Sequence, residues 1–143
     1  MKIFAFVDLH GDIPMLRRVI EQGKKADIVI CAGDISNFEQ KLKTLVKLLA
    51  TVGKQVIMIH GNHEEPEMLK EVCDKYKNII FLHRGLYTYE GVMFVGYGGG
   101  GFSKVDPRFE KFTKKVSSHL SGKIVLVTHG PPFGTVVDNI QGE

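Results

Sequence analysis

The sequence predicts an α/β fold, and three patterns predict it. Short apolar runs of strand length alternate with segments whose apolar residues recur at helical spacing. The run over 27–32 is nearly all apolar, as expected for a strand covered on both faces. Two further β-type runs are separated only by Glu90-Gly91, a hairpin signal that adds antiparallel pairing. A length of 143 residues suits a single domain over 1–143, and neither an internal repeat nor a linker interrupts it.

Taken in order, residues 2–7 form the first β-type run. A helix is expected over 13–25, with Ile13, Leu16, Val19 and Ile20 on one stripe, Asp12 as N-cap and Pro14 in its first turn. Residues 27–32 give a second strand. Residues 38–52 read as a helix carrying Leu42, Leu45, Val46 and Leu49, stopped by Gly53. A strand over 55–59, a helix over 66–76 and a short strand over 78–82 follow. The hairpin strands are 86–89 and 92–97. A glycine run at 98–101 leads to a helix over 106–120, begun by Pro107, and to a last strand over 123–127. The tail from Gly130 is rich in Gly and Pro.

Composition narrows the class. Hydrophobic residues make up 43%, charged residues 24% and aromatics 9%, which excludes a disordered chain, a collagen-like repeat and a small disulfide scaffold. No apolar run approaches the roughly 20 residues needed to span a bilayer, so no membrane segment is expected. The apolar start meets Asp8 too early for a secretory signal, which makes the cytoplasm the expected location. Nineteen basic and sixteen acidic residues leave a dispersed +3, too weak to signal nucleic-acid binding. Cys31 and Cys73 match no metal or redox spacing and read as reduced thiols, in the core or half-buried. Phe4, Phe6, Phe81 and Phe94 fall in strands and read as core.

Four apolar runs end alike. The first runs into Asp8-Leu9-His10, the second into Gly33-Asp34, the third into His60-Gly61-Asn62-His63-Glu64 and the last into Thr128-His129-Gly130. In α/β sheets, ligands bind at the carboxyl ends of the strands, so these residues are delivered to one edge. Asp34 alone would read as a helix cap and His129 alone as a turn histidine; four loaded strand ends together do not arise from capping. The set holds carboxylates, imidazoles and an amide oxygen and no thiolate, which suits Mn, Fe, Zn, Co, Ni or Mg. Asp8 and His10 can face one ion, Asp34 has two oxygens with which to bridge two ions, and Asn62 and His129 would hold the second. A pair of ions of this kind clamps in-line displacement at phosphorus. The glycine run lacks the Gly-Lys-Ser/Thr ending of a phosphate loop and reads as a flexible loop near the site.

The blocks Asp8-x-His10, Gly33-Asp34, Gly61-Asn62-His63-Glu64 and Thr128-His129-Gly130-Pro131-Pro132, in this order and spacing, resemble the calcineurin-like metallophosphoesterase family along essentially the whole chain. The resemblance implies a β-sandwich flanked by helices. It implies that Asp8, His10 and Asp34 bind one metal, that Asp34, Asn62 and His129 bind the other, and that His63 is a catalytic histidine rather than a ligand. Two positions depart from the family pattern. Asn37 stands where many members carry an Asp that orients the catalytic histidine, so a hydrogen bond survives there without a charge. The family's later Gly-His-x-His block is absent, since no histidine follows His129. The chain therefore reads as a member cut short before its last strands, with apolar surface left for self-association or for a chain carrying that block.

The expected activity is that of a dinuclear metal-dependent phosphoesterase, with Mn²⁺ the favoured ion. A metal-bridging hydroxide would attack a phosphomonoester or phosphodiester in line, and His63 would protonate the leaving oxygen. The alternative is a scaffold on the same fold, inactive or weakly active, that pairs with a partner chain. His60 is expected to be structural or to support the ligands, and His83 and His119 to lie on the surface.

Overall fold

Seven strands fall into two sheets in the computed structural model of the protein, which describes residues 1–38, 40–100 and 103–138. The first sheet holds β1 (Ile3–Phe6), β2 (Ile28–Cys31), β3 (Gln55–Met58) and β4 (Ile79–Phe81), all parallel and in sequential order. Its crossovers are α1 (Ile13–Gly23), α2 (Leu42–Ala50) and α3 (Pro66–Cys73). The second sheet holds β5 (Gly85–Tyr89), β6 (Val92–Tyr97) and β7 (Lys123–Thr128). In it β5 and β6 form an antiparallel hairpin and β7 runs parallel to β6, reached through α4 (Pro107–Val116).

Alternation along the strands sorts the core into layers. Val29, Cys31, Val56 and Met58 pack with Leu16, Leu45, Leu49 and Leu69 of the crossover helices. The intervening residues Ile28, Ile30, Ile57 and Ile59 point the other way and pack with Val92, Phe94 and Val127 of the second sheet. Val95 and Tyr97 leave that sheet on its outer face, against Phe112 of α4. The result is the expected β-sandwich with a helical layer on each side. Phe94 is fully buried at its centre, while Phe4, Phe6 and Phe81 pack partly buried against the helix-side core. Both cysteines are free and buried, as their apolar settings imply.

The largest boundary difference is at α2, which starts at Leu42 and not at residue 38. Phe38 and Lys41 have φ of 46° and 58°, and Asn37 pairs with Gln40 in an isolated bridge, so the chain turns there before it can coil. The helix expected over 106–120 closes at Val116 and continues as a 3₁₀ turn, Ser117–His119. Asp12 and Asp106 cap α1 and α4, accepting hydrogen bonds from Met15 N and from Arg108 N and Phe109 N. Glu90 and Gly91 both have positive φ, the two-residue hairpin geometry that twists with its strands. Gly101, the end of the glycine run, and the tail beyond residue 138 lie outside the described residues. β7 is the outer strand of its sheet and leaves Ile124 and Leu126 exposed. Among the described residues, no helix is long and apolar enough to cross a membrane.

Candidate metal centre

Parallel strands in register bring their following loops to one edge. The β1 and β2 loops are laced together there: Asp8 N donates to Gly33 O, His10 N to Asp34 O and Gly11 N to Ile35 O at 2.9–3.2 Å. The lacing holds Asp8, His10 and Asp34 in the left-handed region, with φ of 57°, 47° and 54°. Asp and His tolerate that region better than bulkier residues, and three such positions at one edge mark a site where local strain is held by its surroundings.

The two glycines of the motifs explain how closely these loops approach. A Cβ on Gly33 would lie 2.6 Å from Gly61 N and 2.8 Å from His129 Nδ1. A Cβ on Gly61 would overlap Asp34 Oδ1. Side chains at either position would push Asp34 away from Asn62 and His129.

Glu64 ties the β2 and β3 loops from beneath. It is buried, and its Oε2 accepts from Asp34 N and Gly61 N, both at 3.0 Å, while Oε1 accepts from Ser36 N at 3.0 Å. A carboxylate taking three main-chain N–H groups replaces its lost hydration within the protein. Sequence reasoning placed Glu64 in the densest motif without a role; the signal was a charged residue at the end of that block.

The side chains converge as follows. Asp34, His10 and His63 each place a ligand atom within 4.8 Å of the others, and so do Asp34, Asp8 and His129. Asp34 belongs to both groups, as a bridging carboxylate must. Asp8 Oδ1 also lies 3.9 Å from His10 Nε2, so it borders both groups. Asn62 joins the second, with Oδ1 3.0 Å from His129 Nε2. His129 Nδ1 donates to Ala32 O at 2.9 Å, which in the neutral ring leaves Nε2 with an open lone pair. That lone pair faces Asn62 Oδ1 and, at 3.6 Å, Asp34 Oδ2. With the ring neutral, three acceptors meet here, and a cation is a group that such a set fits.

His63 sits at the rim of the first group. Its N–H donates to Asp34 Oδ1 at 3.0 Å, and its Nδ1 donates to Asn37 Oδ1 at 3.2 Å, so Nε2 is the nitrogen left for other partners. Its ring stacks near His10 and near Phe38, whose own side chain is 70% exposed. All six residues singled out in the sequence therefore meet at one edge. His63 has a ring nitrogen as close to the first group as a ligand would be, a proximity the motif pattern does not foretell.

Behind Asn62 lies a second cluster that sequence reasoning passed over. His60 is 7% exposed and stacks edge-on with His83 at 4.5 Å. Burial, then the neighbouring His83 and His129, lower the His60 pKa to about 4. His83 is not the surface histidine expected: it is half-buried and accepts Gly98 N–H at Nδ1, at 3.0 Å. The reason is the close approach of residues 98–99 over His60, which a strand-end pattern does not reveal. His119 is exposed, as expected.

A family profile described as calcineurin-like phosphoesterase matches residues 1–141. No curated protein matches the chain in sequence. One crystal structure of another protein aligns with a TM-score of 0.83 at 17% identity, covering 99% of this chain and 74% of that one. The crystal structure of TT1561 of Thermus thermophilus aligns with a TM-score of 0.75 at 12% identity, covering 92% of this chain and 72% of that one. At such identities the likeness is one of fold.

Proposed function

The chain belongs to the calcineurin-like phosphoesterase family, and from that premise we propose that it hydrolyses a phosphomonoester or phosphodiester with two divalent ions, Mn²⁺ favoured, in the cytoplasm. The observation that carries the reading is Asp34, shared between two converging groups of ligand atoms. Asp8, His10 and Asp34 would hold one ion, and Asp34, Asn62 and His129 the other. Ions so held supply an activated water and neutralise charge on phosphoryl oxygens.

The rest of the chemistry falls to the protein. Asp34, fixed by Glu64 beneath it and by His63 N, sets the spacing of the two halves of the site. His63 holds its Nδ1 proton on Asn37 and presents Nε2 as the atom that gives a proton to the leaving oxygen. Asn37 orients the ring without lending a charge, so the imidazolium gains less support than a carboxylate would give it.

Metal analysis followed by a panel of chromogenic mono- and diesters tests the reading. Two ions per chain and metal-dependent turnover are expected. A chain that binds fewer than two ions and turns over nothing overturns it. The open edge of β7, with Ile124 and Leu126 exposed, favours one second reading, a scaffold that pairs through that strand. Metal-dependent turnover by the monomer would rule it out.

A further inference from the structure

A cleft of about 510 Å³ opens beside the metal edge, between the loop after β4 and the start of α4. His60 lines it and lies two residues before Asn62 in the same loop. Gly100 lines it too, and a Cβ there would lie 3.9 Å from the N of Gly130, the residue after His129. The cleft is therefore a continuation of the metal site and not a remote cavity.

Its walls are cationic. Arg84 and Arg108 both line it and both are exposed, and neither guanidinium forms an ion pair among the described residues. Arg84 lies over the Tyr97 ring, 5.9 Å from its centroid, which restrains its swing without neutralising it. Among the described residues, Asp106 is the one carboxylate in the lining, and its oxygens are taken up by Arg108 N, Phe109 N and the Tyr97 hydroxyl. His83 accepts Gly98 N–H at Nδ1, so in its neutral form its proton is on Nε2, a further donor in the lining. Among the described residues, His60 Nδ1 is buried without a hydrogen-bond partner. Arg84 gives one hydrogen bond to the Tyr97 side chain and Arg108 lies in the field of Asp106, yet neither is ion-paired among the described residues, and two planar guanidinium forks with an imidazole N–H match the oxygens of a phosphate.

We propose that this cleft binds a second anionic group, a phosphate, carried by the same substrate whose scissile phosphoester sits at the metals. The substrate class is then a small molecule with two phosphoryl groups, one cleaved and one held by Arg84 and Arg108. The inference rests on the phosphoesterase reading for the scissile end alone. A lone monoester of a neutral alcohol would use the metal centre and leave the cleft idle.

Calorimetric titration of the Mn²⁺-loaded protein with methylphosphonate, and with alkane bisphosphonates of increasing spacer length, tests this. The best spacer should bind at least tenfold more tightly than methylphosphonate. Arg84→Gln and Arg108→Gln should each remove most of that gain and leave methylphosphonate binding unchanged. Both side chains are exposed, so the variants should fold, which circular dichroism checks. A spacer series no better than methylphosphonate, or a gain indifferent to both substitutions, overturns the cleft. Should methylphosphonate binding show no dependence on Mn²⁺, the phosphoesterase reading fails separately. The same bisphosphonates titrated into metal-free protein then decide the cleft: binding lost in both arginine variants upholds it, and no binding overturns it.

Discussion

His129 and Ala32 are joined across 97 residues by one hydrogen bond, Nδ1–H to the main-chain oxygen at 2.9 Å. The bond settles which nitrogen carries the proton in the neutral imidazole, and it does so from the end of β2, the strand that also delivers Asp34. The same strand end thus sets both the carboxylate and the histidine that face each other at 3.6 Å. Metal affinity should depend on that pairing. Asp34→Asn removes one charge from both groups at once and should leave at most one ion per chain by elemental analysis, against two in the wild type. Full dinuclear occupancy in the variant would show that Asp34 does not bridge.

His63 should matter to turnover more than to metal affinity. Asn62 would already hold the ion from this turn, and it is Nδ1 of His63, not Nε2, that Asn37 engages. His63→Ala should keep the fold and lower kcat by about 10²–10⁴, the usual loss with a general acid. A nitrophenolate ester, whose leaving group needs no proton, should suffer least. Because a His63 ring nitrogen lies within 4.8 Å of ligand atoms of His10 and Asp34, metal binding of the variant is the deciding control. If His63→Ala loses an ion outright, the residue is a ligand.

Glu64 is a structural clamp with a functional consequence. Glu64→Ala would strip acceptors from the buried N–H groups of Asp34, Ser36 and Gly61. Each orphaned buried donor costs about 1–3 kcal/mol, so a loss of about 3 kcal/mol or more in urea denaturation is expected. Glu64→Gln keeps an acceptor oxygen and should lose about half as much. Both should weaken metal binding because Asp34 loses its support. A wild-type midpoint and wild-type metal affinity in Glu64→Ala would show that the clamp carries no weight.

Much of this was legible in the residues themselves. Strand ends could be read because apolar runs stop abruptly at Asp8, Asp34 and His129, and parallel topology sends such ends to one edge. The layers could be read because alternation on β2 and β3 divides Val29 and Val56 from Ile28 and Ile57. The start of α2 could not. Its helical stripe begins at Leu42, and nothing in the composition of 38–41 announces that Phe38 and Lys41 adopt positive φ. The cleft was hidden for a related reason. His60, His83, Tyr97 and Arg84 come from three separate segments, and each taken alone is an ordinary residue at the end of a strand. Only the approach of residues 98–99 over His60 brings them together.

That approach also predicts how stability responds to acid. His83 Nδ1 accepts Gly98 N–H, and burial, then Arg84, lowers the His83 pKa; Glu67 opposes weakly. His60, packed against it, is lowered to about 4. A histidine whose folded pKa lies below its unfolded value, about 6.5, binds a proton more readily in the unfolded chain. Its contribution is therefore intact above about pH 6.5 and is lost as pH falls from there toward the folded pKa. Urea midpoints of the chelator-treated protein should be flat from pH 8 to 7 and should fall between pH 6.5 and 5. His83→Gln retains an acceptor for Gly98 N–H but cannot be protonated in this range. Its midpoint should fall less steeply over the same interval, and the remaining slope should include the share of His60. Identical slopes in wild type and variant would mean that His83 is protonated without penalty and that its bond to Gly98 does not hold the loop.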